Sequence, residues 1–100
     1  MRIIAKRASR LFLQTHPRGD KAKTRLEVWH STVEDADWAT PADVKATYGD
    51  ASILKNSRVV FNIAGNKFRL VARINYPYRV LYVRFVGTHE ECDDIDAETI

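Results

Sequence analysis

Between Ala51 and His89 the chain carries seven cationic side chains, Lys55, Arg58, Lys67, Arg69, Arg73, Arg79 and Arg84, and no Asp or Glu, although the net charge of the whole protein is only +3. Clustered Arg and Lys without interleaved acids suit the binding of a polyanion. Guanidinium groups grip phosphate oxygens in a planar fork, and ammonium groups add point charge. A second concentration of reactive types follows at once in His89-Glu90-Glu91-Cys92-Asp93-Asp94. Imidazole and thiolate three residues apart can share a metal on a helix, but a structural zinc needs four ligands. The chain has no second Cys/His pair, so no metal is expected. His16 and His30 are isolated and read as structural or surface residues.

The basic stretch reads as three strands, Arg58–Ile63, Lys67–Ile74 and Arg79–Val86, rich in Val, Ile, Phe and Tyr and broken at Gly65-Asn66 and at Pro77. Side chains alternate along a strand with period two. Val59, Phe61 and Ile63, then Phe68, Leu70, Ala72 and Ile74, then Leu81, Val83 and Phe85 are therefore expected on one, apolar face. An antiparallel meander would gather Arg58, Asn62, Lys67, Arg69, Arg73, Tyr82 and Arg84 on the other face, with Val60, Val71 and Val80 between them. Cations with an aromatic and a few apolar platforms suit nucleic acid, which offers phosphates and stackable bases together. The alternative is the solvated outer face of an ordinary sheet. The missing acids argue against it, since like charges opposite one another across strands repel.

The 100 residues, 45% of them hydrophobic, fit one domain over 1–100 with a real core. No apolar run approaches the length of a membrane span, and the N-terminus lacks the apolar stretch of a signal peptide. With a single cysteine, Cys92, these features lead to an expected cytoplasmic location and no membrane partner. Acids missing from the centre accumulate at the end, where residues 90–100 hold six and no Lys or Arg. That tail can lie against the basic face or extend into solvent.

The elements that must position these residues precede them. Arg2–Ala5 fits a short strand, and Lys6–His16 a helix broken by Pro17-Arg18-Gly19. A second helix starts near Asp20, with Ala22, Leu26, Trp29, Val33 and Ala36 along one stripe, which places Trp29 in the core. Thr40-Pro41-Ala42-Asp43 is a helix start, with Thr40 as N-cap, Pro41 at the first helical position and Asp43 at the third; the helix runs to about Tyr48 and closes at Gly49. The expected class is α+β, with two or three N-terminal helices packed on one face of a small, mainly antiparallel sheet.

Two runs, Val60-Phe61-Asn62-Ile63-Ala64-Gly65-Asn66-Lys67-Phe68-Arg69-Leu70-Val71 and Phe85-Val86-Gly87-Thr88-His89-Glu90-Glu91, resemble the HigB family of toxins within the RelE-like superfamily. The likeness includes Trp38–Lys45 and the end of the chain from Asp93 to Ile100. It implies a RelE-like fold and a ribosome-dependent endoribonuclease that cuts mRNA during translation. It also implies neutralisation by a cognate antitoxin of the HigA type with a helix-turn-helix domain, and no cofactor.

RNA carries its own nucleophile, the 2′-hydroxyl. A ribonuclease must take that proton, stabilise the extra charge on the attacked phosphate and protonate the departing 5′-oxygen. Arg69 resembles the arginine that the superfamily places on its central strand, where a guanidinium can strengthen its grip as charge develops, worth roughly 3 to 4 kcal/mol in comparable oxyanion sites. His89 stands where the superfamily often has His or Arg, and can serve as base when neutral or as acid when protonated. The alternative is an exposed histidine at a strand end. Asn62 and Arg73 are assigned to RNA contact, with support of the Gly65-Asn66 turn as the alternative for Asn62. Lys55, Arg58 and Lys67 are assigned to phosphates of message or ribosome, and Arg84 and Tyr82 to the same basic face. One position departs from the family pattern Thr-His-x-x-Tyr: the fifth residue is Cys92. Cysteine cannot stack, and its acidic neighbours discourage a thiolate. Two rival functions follow, a protein that binds RNA without cutting it and a gyrase-directed toxin of the same superfamily.

Overall fold

A computed structural model describes residues 1–4, 19–65 and 67–100. Its elements in chain order are β1 (Arg2–Ile4), α1 (Gly19–Asp35), α2 (Pro41–Thr47), β2 (Ser52–Ile53), β3 (Arg58–Ile63), β4 (Phe68–Asn75), β5 (Val80–Thr88) and α3 (His89–Asp93). The five strands form one sheet in the order β1-β5-β4-β3-β2. The pairing of β1 with β5 is parallel and the other three are antiparallel. The architecture is thus α+β with a mostly antiparallel sheet, as expected and compatible with a RelE-like fold. The helix expected over Lys6–His16 lies outside the described residues.

One face of the sheet carries the main core. Val59, Phe61, Ile63, Phe68, Leu70, Ala72, Ile74, Leu81 and Val83 point to it, and α1 covers it with Leu26, Trp29 and Val33. These are the expected α1 stripe positions, and Trp29 is only 4% exposed. Phe61 is the hub. Trp29 and Tyr48 meet it edge-on at 5.4 Å, and Trp38 stacks on it at 6.0 Å, geometries that add to the burial of the rings themselves. α2 starts as its sequence predicts: Thr40 Oγ1 accepts from the Asp43 N–H, while Asp43 Oδ2 accepts from the N–H groups of Ala39 and Thr40. The Ala39 bond is the main cause holding the Asp43 carboxyl below its ordinary range.

Two features depart from the simple alternating pattern. A register shift next to Val71/Ala72 pairs Val71 with Phe85 and Ala72 with Val83, so Arg84 is the extra residue of a bulge in β5. Phe85, expected beside Leu81 and Val83, is consequently turned to the opposite face, and Val86 packs on the main core instead. The second departure is at the end of the chain. The tail does not extend into solvent: Ile95, Ala97 and Ile100 pack with Leu54 and Phe85 against Val60, Val71 and Cys92, making a second, smaller apolar cluster on the face expected to be open and cationic.

Candidate functional site

The strand register sorts the side chains of that second face into rows across β3, β4 and β5. Asn62, Arg69 and Gly87 form one row; Val60, Val71 and Phe85 the next; Arg58, Arg73 and Tyr82 the third. The tail lies on the apolar middle row. The basic residues gathered by alternation are thereby divided, with Arg69 on one side of the covered strip and Arg73 and Tyr82 on the other.

At the Arg69 end, β5 runs directly into α3. Thr88 makes the junction: its Oγ1 accepts from the Glu91 N–H at 3.2 Å, and Glu91 Oε1 accepts from the Thr88 N–H at 2.8 Å. This capping box starts a helix at His89. Four residues separate His89 from Asp93, so both fall on one helical face. Asp93 Oδ2 lies 3.2 Å from His89 Nδ1, and Asp93 Oδ1 lies 3.9 Å from Arg69 Nη1. A single carboxylate therefore brings together the two residues assigned to catalysis. The His89 backbone N–H donates to the Lys67 carbonyl at 3.3 Å, which ties the start of α3 to the turn before β4. Arg69 Nε is buried and has no hydrogen-bond partner among the described residues.

Gly87 faces Arg69 across the β4–β5 pair and leaves space that a side chain would fill. A Cβ there would lie 2.6 Å from Phe85 Cζ and 2.9 Å from Glu91 Oε1. Cys92 packs in the apolar cluster beside Val60 and Val71, with its thiol in reach of the Arg69 side chain. Burial pushes the thiol up from the ordinary value, the charge of Arg69 pulls it down, Asp93 raises it, and a hydrogen bond with the Arg69 side chain lowers it. The acidic neighbours expected to suppress a thiolate thus act behind burial, and among them Asp93 is the one that reaches it.

The remaining candidates scatter. Asn62 donates through Nδ2 to the Asp50 carbonyl at 3.2 Å and to Asp50 Oδ2 at 3.4 Å, which ties it to the segment before β2. Arg58 donates from Nε and Nη2 to the Ile100 carbonyl and from Nη1 to the Asn56 carbonyl, so its guanidinium is engaged by the tail. Arg79 leaves the face altogether, at φ 56°, and pairs with Asp37 at 2.6 Å. Arg84 lies over the Tyr82 ring, 5.5 Å from its centroid. The side chains of Lys55, Lys67 and Arg73 are exposed and make no ion pair among the described residues. Also among the described residues, no three His, Cys, Asp or Glu converge on a point where a metal could sit, and no helix is long and apolar enough to cross a membrane.

Asp93 and Gly87 are the residues that a strand-by-strand reading passes over. The signal for Asp93 was Thr88-His89-Glu90-Glu91, a capping-box sequence that announces a helix and with it the His89–Asp93 spacing.

Chemically, a half-buried guanidinium, an imidazole and a carboxylate at the edge of a basic sheet can bind a phosphate and exchange a proton beside it. Comparison with known proteins agrees with that chemistry. Residues 22–95 match the family described as HigB_toxin, RelE-like toxic component of a toxin-antitoxin system. The chain is 28% identical over 95 residues to the mRNA interferase toxin HigB of Escherichia coli strain K12, covering 93% of this chain and 88% of that protein. The same figures hold for a Shigella flexneri protein named mRNA interferase HigB. A protein of that name from Escherichia coli O6:H1 is 24% identical over 72 residues, 70% of each chain.

Proposed function

This chain belongs to the HigB family, the RelE-like toxic components of toxin-antitoxin systems, and from that premise we propose that it is an mRNA endoribonuclease whose reacting groups are Arg69 and His89. The observation that supports this reading is their convergence on Asp93 at the uncovered end of the basic face. The relatives named mRNA interferase supply the substrate.

Arg69 binds the non-bridging oxygens of the scissile phosphate. Its planar donors tighten as negative charge builds on the pentacoordinate phosphorus. His89 moves a proton, either from the attacking 2′-hydroxyl or to the departing 5′-oxygen, and the bond between phosphorus and that oxygen breaks as the 2′-oxygen bond forms. The products are a 2′,3′-cyclic phosphate and a 5′-hydroxyl. No step calls for a metal or a cofactor.

Lys67 and Arg73, with Lys55 and Arg84 further out, hold backbone phosphates and position the strand without reading its sequence. Tyr82, already covered on one side by Arg84, offers a surface for a base. Asn62 reaches RNA only by exchanging its bonds to Asp50. Cutting during translation in the cytoplasm, with the ribosome holding the message, completes the proposal, together with an antitoxin of the HigA type carrying a helix-turn-helix domain.

A binding-only protein is the second reading, favoured by Cys92: at the family's tyrosine position stands a buried thiol that can neither stack on a base nor donate a proton to it. Mapping new mRNA 5′ ends in a translation extract, with and without ribosomes, separates the two. The nuclease reading expects cuts made by the wild type and lost in Arg69→Ala. Bound but intact message would support the binding-only reading.

A further inference from the structure

Asp93 has no place in the reaction as written, yet it contacts both residues that do. We infer that Asp93 is a positioning residue, which fixes the tautomer and orientation of the His89 ring while aiming Arg69 at the phosphate. The inference rests on the assignment of His89 and Arg69 to RNA cleavage.

Geometry makes the first part of the case. A nitrogen–oxygen separation of 3.2 Å is within hydrogen-bond reach. An imidazole whose Nδ1–H is held by a carboxylate keeps Nε2, across the ring, as the atom that takes a proton from substrate or returns one. The same carboxylate stabilises the imidazolium formed on the way. The contact with Arg69 is of another kind. At 3.9 Å it is too long for a hydrogen bond, so Asp93 attracts the guanidinium without occupying Nη1, which stays free to meet a phosphate oxygen.

Helix physics makes the second part. Asp93 stands in the last turn of α3, where the helix dipole favours a cation, and no basic residue is there. An acid at this position weakens a helix that already has acids in its first turn and a capping box to start it. Pairing of exposed side chains at this spacing returns little. Its benefit therefore lies in what it holds.

The charges around His89 are accounted for by each neighbouring element. α3 contributes Asp93 and the adjacent Glu90, β4 contributes Arg69, and the turn before β4 contributes Lys67, whose carbonyl accepts the His89 N–H. Of these, Asp93 is the group in contact with the ring.

The test pairs a spectroscopic measurement with an activity measurement, on the full chain, for the wild type, Asp93→Asn and Arg69→Ala. Nitrogen chemical shifts of His89 report its tautomer. In Asp93→Asn the ring should lose its preference for carrying the neutral-state proton on Nδ1. In the extract, Asp93→Asn should cut message about tenfold more slowly or worse. Its RNA affinity should stay the same or rise, because a negative charge beside the phosphate is gone. An unchanged His89 tautomer, or cutting at the wild-type rate, would overturn the inference. Wild-type protein that leaves message intact overturns the nuclease reading instead, and the His89 tautomer then still decides whether Asp93 controls that ring.

Discussion

Arg58 holds Ile100: the guanidinium Nε and Nη2 donate to the Ile100 backbone carbonyl at 3.2 and 2.9 Å, closing the tail over the apolar row of the sheet. Asn56 adds a bond from Nδ2 to the Glu98 carbonyl. A cation assigned to RNA from its place on the strand is thereby a clasp for the chain end. Arg58→Ala should lower unfolding free energy by about 1.5 to 3 kcal/mol, the range for hydrogen bonds made by charged groups. Its effect on RNA affinity should be smaller than that of Arg73→Ala, whose side chain is exposed and makes no ion pair among the described residues. Urea unfolding and RNA titration on the two variants check this; equal losses of RNA affinity would return Arg58 to the binding face.

Arg69 behaves in the opposite way. Its contact with Asp93 is long, and its buried Nε is unsatisfied among the described residues, so truncation removes an orphaned donor along with a weak ion pair and one hydrogen bond with the Cys92 thiol. Arg69→Ala should change folding stability by no more than about 1 kcal/mol while reducing cutting by about 10² to 10³-fold. Arg69→Lys should recover little, because an ammonium keeps the charge and loses the fork. Single-turnover cleavage beside thermal unfolding tests both statements. Full activity in the lysine variant would show that charge alone suffices.

The difference between these two arginines shows where sequence reading stops. Period-two alternation put both on the correct face, because β3 and β4 pair without interruption from Arg58↔Arg73 to Ile63↔Phe68. It could not tell that the intervening Val60 and Val71 form a strip for the tail. That strip needs Phe85, which is on this face only because the bulge at Arg84 reverses the alternation of β5. A bulge is a register property of two strands and leaves no periodic trace in one. The α1 stripe and the Thr40 cap were legible because their signals are local. Asp93 lay between: its spacing from His89 is plain in the sequence, but means something only once Thr88 is recognised as starting a helix.

Cys92 is predicted to be inert while the protein is folded. Burial raises its thiol above the ordinary 9.0, outweighing the nearby Arg69. With the folded value above the unfolded one, the thiol's contribution to stability is fully present below pH 9.0 and is lost as pH rises past that point. Alkylation by iodoacetamide at pH 8 should be slow in buffer and fast in urea. Cys92→Ala should flatten part of the alkaline loss of stability. Cys92→Tyr, which restores the family residue, must fit a ring where Val60 and Val71 already pack, and should cost about 1 to 3 kcal/mol even if cutting rises. Rapid native labelling would show that the thiol is not held in the cluster.

Gly87 is predicted to tolerate no side chain, for a reason of space and not of backbone angle. A methyl group there meets Phe85 Cζ at 2.6 Å and Glu91 Oε1 at 2.9 Å. Phe85 is wedged among the residues that seat the tail, and Glu91 Oε1 is bonded to the Thr88 N–H that starts α3. Neither can yield without loosening one of the two structures that frame the site. Gly87→Ala should therefore destabilise the fold by about 1 to 3 kcal/mol. It should also weaken the His89–Asp93 contact, since displacement of Glu91 undoes the capping box. Hydrogen exchange can separate the effects, with faster exchange at the Thr88 and Glu91 amides marking the damaged cap and at Ile95 and Ile100 the loosened tail. Wild-type stability with unchanged exchange at all four amides would mean that the close approach at Gly87 is relieved at no cost.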